Sequence, residues 1–223
     1  FKTTNTGTSW SDADANMTLA EIYGMGQSAS SATKILGGCQ DNGTIFKNGT
    51  NWNEVLGGDG MSTAINPIDN SICYASWQWM NLTQSFDSGY SFFDITGGGT
   101  MLPVGSIGTT NISFDAPYIV CNANPNVMYA GETQMYRSND GGSSWNLINS
   151  GNVLDGNPAL TITSSPNDEN TVYVSTAPTL SPSPHLFRST DGGATFQNIT
   201  GLLPNRYYMQ VKANPRNDSI LYL

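Results

Sequence analysis

Charge is scarce in this sequence. Only 11% of its 223 residues are Asp, Glu, Lys or Arg, less than half the usual quarter. Long surface helices need such residues, so a helix-rich fold is not expected. Cations are scarcest, with 8 Lys and Arg against 17 Asp and Glu and a net charge of −9. That balance leaves no electrostatic footprint for a nucleic-acid backbone, and an anionic lipid surface would repel the chain. No apolar run approaches the roughly 18 residues needed to span a bilayer, and no secretory leader is visible. The three cysteines, Cys39, Cys73 and Cys121, are odd in number and match no zinc spacing. Cys73 and Cys121 lie inside strand-like runs and read as small buried hydrophobes. The sole histidine, His185, has no cysteine or second histidine placed to build a nucleophilic triad.

Gly, Ser, Thr and Asn fill the space that charge leaves. Seven Asn-x-Ser/Thr triplets occur, at Asn16, Asn42, Asn48, Asn81, Asn111, Asn198 and Asn217. In a chain this rich in Asn, Ser and Thr they imply no glycosylation.

An internal repeat organises the chain. Arg137-Ser138-Asn139-Asp140-Gly141-Gly142-Ser143-Ser144-Trp145 recurs as Arg188-Ser189-Thr190-Asp191-Gly192-Gly193-Ala194-Thr195-Phe196. A weaker copy runs from Gln84 through Asp87 and Gly89 to Phe92. Two degenerate copies end at Trp52 and Trp10, the second aligning without a gap on the segment ending at Phe196. Ahead of each clear copy, an Asn-Pro or Ser-Pro turn leads into a β-branched and aromatic run, such as Val127-Met128-Tyr129-Ala130 or Thr171-Val172-Tyr173-Val174. Each unit therefore reads as four short strands punctuated by turn residues. The approximate units are 17–56, 57–97, 98–150 and 151–201, with 1–16 and 202–223 as two halves of a fifth. Four-stranded units at this period predict an all-β fold, a β-propeller of antiparallel blades. About five blade equivalents are present. The halves either join into one blade, or the chain is an excerpt of a larger ring; the start at Phe1 favours the excerpt.

The motif S-x-D-x-G-x-[ST]-[WF] resembles the Asp box of sialidase, BNR-repeat and sortilin-type propellers. Gly37-Gly38-Cys39-Gln40-Asp41-Asn42-Gly43, followed by Gly57-Gly58-Asp59-Gly60, is similar to secreted bacterial sortilin-like repeat proteins. The resemblance covers the whole chain. It implies a turn between the third and fourth strands of a blade, structural rather than catalytic. Asp87, Asp140 and Asp191 would accept turn amides, Gly89, Gly142 and Gly193 would permit the backbone, and Phe92, Trp145 and Phe196 would bury against the neighbouring blade. It also implies that ligands meet the opposite, loop-rich face. Its loops here are 37–43, 56–61, 77–81, 97–111, 132–134, 150–157, 178–185 and 200–207.

Three groups of residues on that face are candidates. Asp41 and Asp59, with Asn42, would suit Ca²⁺, which takes oxygen ligands, or paired acid–base chemistry; ordinary Asx-turns are the plain alternative. Trp77 and Trp79 fall on one side if extended and would offer a platform for sugar or an apolar partner. Glu132, His185, Arg206 and Tyr207 are further ligand-binding candidates. A sialidase is excluded: of four arginines, Arg137 and Arg188 are tied to the repeat and Arg216 lies in a turn, leaving Arg206 alone. Xyloglucanase-type propellers share the box but need two large propellers facing a cleft, which this chain cannot supply. The expected function is a non-catalytic, secreted or cell-surface propeller of bacterial type that binds protein or glycan, with other domains in a longer chain. A glycoside hydrolase fragment using Asp41 or Asp59, or a structural element of an extracellular assembly, are the alternatives.

Overall fold

A computed structural model describes residues 1–12, 20–95, 113–177 and 183–223. The loop 97–111 and the residues 178–182 of the loop 178–185 lie outside that set. Among these residues four four-stranded antiparallel sheets follow one another. The first contains β1 (Ile22–Gln27), β2 (Lys34–Cys39), β3 (Gly43–Asn48) and β4 (Asn51–Leu56). The second contains β5 (Gly60–Ile65), β6 (Cys73–Trp77), β7 (Asn81–Ser85) and β8 (Phe93–Asp94). The third contains β9 (Tyr118–Val120), β10 (Met128–Gly131), β11 (Met135–Ser138) and β12 (Asn146–Leu147). The fourth contains β13 (Ala159–Ser164), β14 (Val172–Thr176), β15 (Leu186–Ser189) and β16 (Gln197–Asn198). A two-stranded sheet of β17 (Lys212–Asn214) and β18 (Asn217–Tyr222) ends the order. Among the described residues no α-helix is present, and no helix is long and apolar enough to cross a membrane.

Each sheet pairs its strands in chain order, as hairpins with short turns must. The first strands of all five sheets contribute Tyr23, Thr63, Tyr118, Thr161 and Lys212 to one central cavity of about 630 Å³. The sheets stand as blades around that cavity, and apolar side chains fill the gaps between them. Leu36 and Phe46 meet Ile65 and Cys73 between the first two blades. Tyr74, Met80 and Leu82 meet Met128 and Trp145 between the next two. Tyr129 and Met135 meet Ile162 and Val174 beyond them. The three cysteines are free and buried.

Blades one and two approach backbone to backbone. A Cβ on Gly38 would lie 1.8 Å from the Met61 carbonyl oxygen, and one on Gly60 would lie 2.3 Å from that of Gly43. Gly38 and Gly60, near Asp41 and Asp59 in sequence, thus serve interblade packing.

The repeat turns join third and fourth strands and are built alike. Ser138 Oγ accepts from the amides of Asp140 and Gly142, while Asp140 Oδ1 accepts from the Ser138 hydroxyl and the Ser144 amide. Ser189 and Asp191 repeat this set, as do Ser85 and Asp87. Hydroxyl and amide donors from Ser91 hold Asp87 down at about 2, and those from Thr195 do the same for Asp191. Trp145, Phe196 and Phe92 each pack on the preceding blade. The arginines that open the motif reach the other way. Arg137 donates to the Gly192 carbonyl of the next turn and lies over the Tyr129 ring, as Arg188 lies over Tyr173. The copy ending at Trp52 is instead a plain hairpin, with Asn48 opposite Asn51.

Candidate binding face

Second-to-third-strand turns and blade-to-blade connections share the face opposite the repeat turns. They are laced together by main-chain bonds. The Gly43 amide donates to Gly58 O, Trp79 to Phe114 O, Gly131 to Pro117 O, Ala159 to Glu132 O and Ala177 to Pro158 O. Each connection is thereby wedged between the turns of adjacent strands, so side chains from successive blades share one surface.

Asp41 and Asp59 do meet, but not as a free pair. The Asp41 amide donates to Asp59 Oδ1 at 2.8 Å, and the Gln78 side chain donates to Asp59 Oδ2 at 2.6 Å. Both oxygens of Asp59 are thus used inside the loops. Asn42 donates to Gln40 O, so its amide also serves its own turn. Among the described residues no group of three or more His, Cys, Asp or Glu is arranged to hold a metal ion. Ca²⁺ takes six to eight oxygen ligands, and both carboxylate oxygens of Asp59 here already accept protein donors.

The two tryptophans are not on one extended strand. Trp77 ends β6 half-buried, and Trp79 and Met80 turn the chain with φ of 64° and 58°. Positive φ in two bulky residues is costly, of order 1–3 kcal/mol each. The turn buries Met80 and leaves Trp79 49% exposed. Trp79 stands edge-on to exposed Phe114, with ring centroids 5.3 Å apart. Beside Phe114, Asp115 turns one buried, unpartnered carboxylate oxygen inward, and burial raises its pKa.

Glu132 follows β10. It is 4% exposed, and its Oε1 is buried with no hydrogen-bond partner. Burial pushes its carboxyl up to about 7, because a low-dielectric site disfavours the charged form.

His185 has a partner that lies 30 residues away in sequence: its Nδ1 is 2.7 Å from Asp155 Oδ2. The same carboxylate accepts from the Thr176 hydroxyl at 2.8 Å and from the Asn157 amide at 2.9 Å. Such a bond fixes the ring's orientation. Arg206 and Tyr207 are exposed and line a separate open depression of about 600 Å³ with Leu203 and Met209.

Sequence reasoning named Trp79, Glu132 and His185 but missed Phe114, Asp115 and Asp155. Those three stand alone in connections with no motif. Only the pairing of the blades brings them to their partners.

A scan of the sequence against protein-family profiles finds no match, and a search of curated protein sequences finds none. Solved structures do match. A GH74 enzyme of Niastella koreensis superposes with a TM-score of 0.67 at 18% identity, over 90% of this chain and 33% of its own. A GH74 xyloglucanase of Xanthomonas campestris gives 0.53 at 12%, over 90% of this chain and 43% of its own. A chain of the COPII outer-coat vertex gives 0.58 at 8%, over 92% and 56%. The fold is a β-propeller. The chain spans about a third of the length of the Niastella enzyme. Enzymes and coat scaffolds share these likenesses, so they speak for the propeller alone.

Proposed function

We propose that this chain is a secreted, non-catalytic recognition propeller of the sortilin-like Asp-box kind, and that it binds glycan on its loop face. The carrying observation is the Trp79–Phe114 pair. Two aromatic groups stand exposed and edge-on where a bulky residue adopts an unfavourable backbone to present them. Such rings stack on the apolar faces of pyranose units. The face that carries the repeat turns has its acids committed to turn amides, which leaves recognition to the loop face. Affinity electrophoresis against neutral polysaccharides, xyloglucan among them, tests the reading. Retardation by at least one glycan, abolished by Trp79→Ala, is expected. Equal mobility in every gel contradicts it.

Glu132 favours a second reading, that of a glycoside hydrolase fragment. A buried carboxyl held near 7 is in the protonation state of a general acid, and two of the solved propellers are GH74 enzymes. On this reading Glu132, rather than Asp41 or Asp59, is the acid. Release of reducing ends that Glu132→Gln abolishes would support it, and no release with bound glycan would leave the binding reading.

A further inference from the structure

Asp59 lies in the connection between the first two blades, and its main chain is gripped on both sides. The Gly43 amide donates to the Gly58 carbonyl at 2.9 Å. On the other side, a Cβ on Gly60 would meet the Gly43 carbonyl oxygen at 2.3 Å and the Cys39 nitrogen at 2.8 Å, so that residue is wedged against the first blade's turn. The carboxylate is therefore held in place by its own backbone. Its Oδ1 accepts the Asp41 amide at 2.8 Å, and its Oδ2 accepts the Gln78 side chain at 2.6 Å. A carboxylate only accepts, so one group takes both donors. A single acid thus links the second-to-third-strand turn of blade one to that of blade two.

β6 and β7 are joined by Gln78, Trp79 and Met80, between the facing pair Trp77 and Asn81. The outer two of these residues are anchored. Met80 is 2% exposed and belongs to the apolar cluster of Tyr74, Leu82 and Tyr118. Gln78 is tied sideways to Asp59, and its carbonyl accepts from the Asn81 side chain. Trp79 stands at the apex, and its amide donates to Phe114 O at 3.1 Å. Trp79 and Met80 both adopt left-handed backbone, with φ of 64° and 58°. Bulky residues persist there only where the surroundings over-determine the chain. Burial of Met80 fixes the end of this turn. The bond to Asp59 fixes its start.

We propose that Asp59 is a positioning residue, which holds Gln78 so that the Trp79 ring stands ready for a glycan. The inference rests on the reading of Trp79 as the glycan contact and gives Asp59 a part in recognition without touching the sugar. A ring that is already ordered loses less freedom on binding than a loose one, and so binds more tightly.

Substitutions at Gln78 in the whole chain test the tie. Gln78→Met removes the donor without altering charge, and Gln78→Glu sets carboxylate against carboxylate. Adding Asp59→Asn to Gln78→Glu reverses the roles, because the new side-chain amide donates to the new carboxylate. Labelling with 5-fluorotryptophan reports the ring directly, the Trp79 signal being the one that Trp79→Phe removes. Each single Gln78 variant, at a temperature where it is folded, is expected to shift or broaden that signal and to bind xyloglucan about tenfold more weakly in affinity gels. The double variant is expected to return the signal to its wild-type position and the affinity to within about twofold of wild type. Lower melting temperatures with the signal and affinity of the folded protein unchanged would mean a role in stability alone and overturn the proposal. A double variant no better than Gln78→Glu also overturns it. The fluorine signal requires no glycan, so an unmoved Trp79 signal defeats the positioning whatever binds, whereas xyloglucan binding unchanged by Trp79→Ala defeats the glycan reading instead.

Discussion

At the residue scale, acids on the two faces behave oppositely. Asp87 and Asp191 are charged in their turns and accept several donors, which lowers them to about 2 from an ordinary 3.8. Their contribution to stability is full above the ordinary value and is lost as pH falls through about 2. Asp191→Asn is therefore expected to flatten the acid limb of a thermal-melt profile between about pH 4 and pH 2. Glu132 has the reverse sign. Its folded-state pKa is raised from 4.5 to about 7, so its contribution is full below 4.5 and lost as pH rises through about 7. The loss is on the order of 3 kcal/mol. Glu132→Gln is expected to remove the decline in melting temperature between pH 5 and pH 8; an unchanged profile would show that Glu132 is not the titrating group. The sequence announces the first class of acid through its spacing to Ser and Gly. It is silent on the second, because nothing local shows that Glu132 is buried.

At the scale of elements, the repeat turn is local. Its bonds run between Ser138 and Ser144, so sequence and geometry carry the same information there. Asp140→Ala removes the acceptor of the Ser138 hydroxyl and of the Ser144 amide. A loss of about 1–3 kcal/mol in denaturant unfolding is expected, with the loop face unaffected. The degenerate copies divide in an instructive way. Thr3, Asn5, Gly7 and Ser9 keep the hydroxyl, acceptor and glycine that the turn needs and form it, while the segment before Trp52 lacks them and forms a simple hairpin. Gly38 was read as part of a loop signature, but its role is contact with Met61. Gly38→Ala puts a methyl group against a backbone carbonyl that cannot swing aside. It is expected to cost about 3 kcal/mol or more by the same unfolding assay, whereas Gly49→Ala meets open space and pays only for its positive φ, about 1 kcal/mol.

At the scale of the molecule, the period of the repeat sufficed to predict stacked four-stranded units, because each unit buries its apolar faces only against its neighbours. The loop face was less legible. Its groups come from connections of different blades, and their meeting depends on how one sheet is rotated against the next. Trp79 finds Phe114 across two neighbouring blades, and His185 finds Asp155 across a separation of 30 residues, only once the sheets have formed. The central claim is that recognition sits on this face and stability on the other. Isothermal titration with a glycan that the wild type binds tests it most directly, using Trp79→Ala and Asp140→Ala at a temperature where both are folded. The account predicts that Trp79→Ala weakens binding tenfold or more while Asp140→Ala leaves it within twofold. Unchanged affinity in Trp79→Ala, with a loss in folded Asp140→Ala, would contradict it.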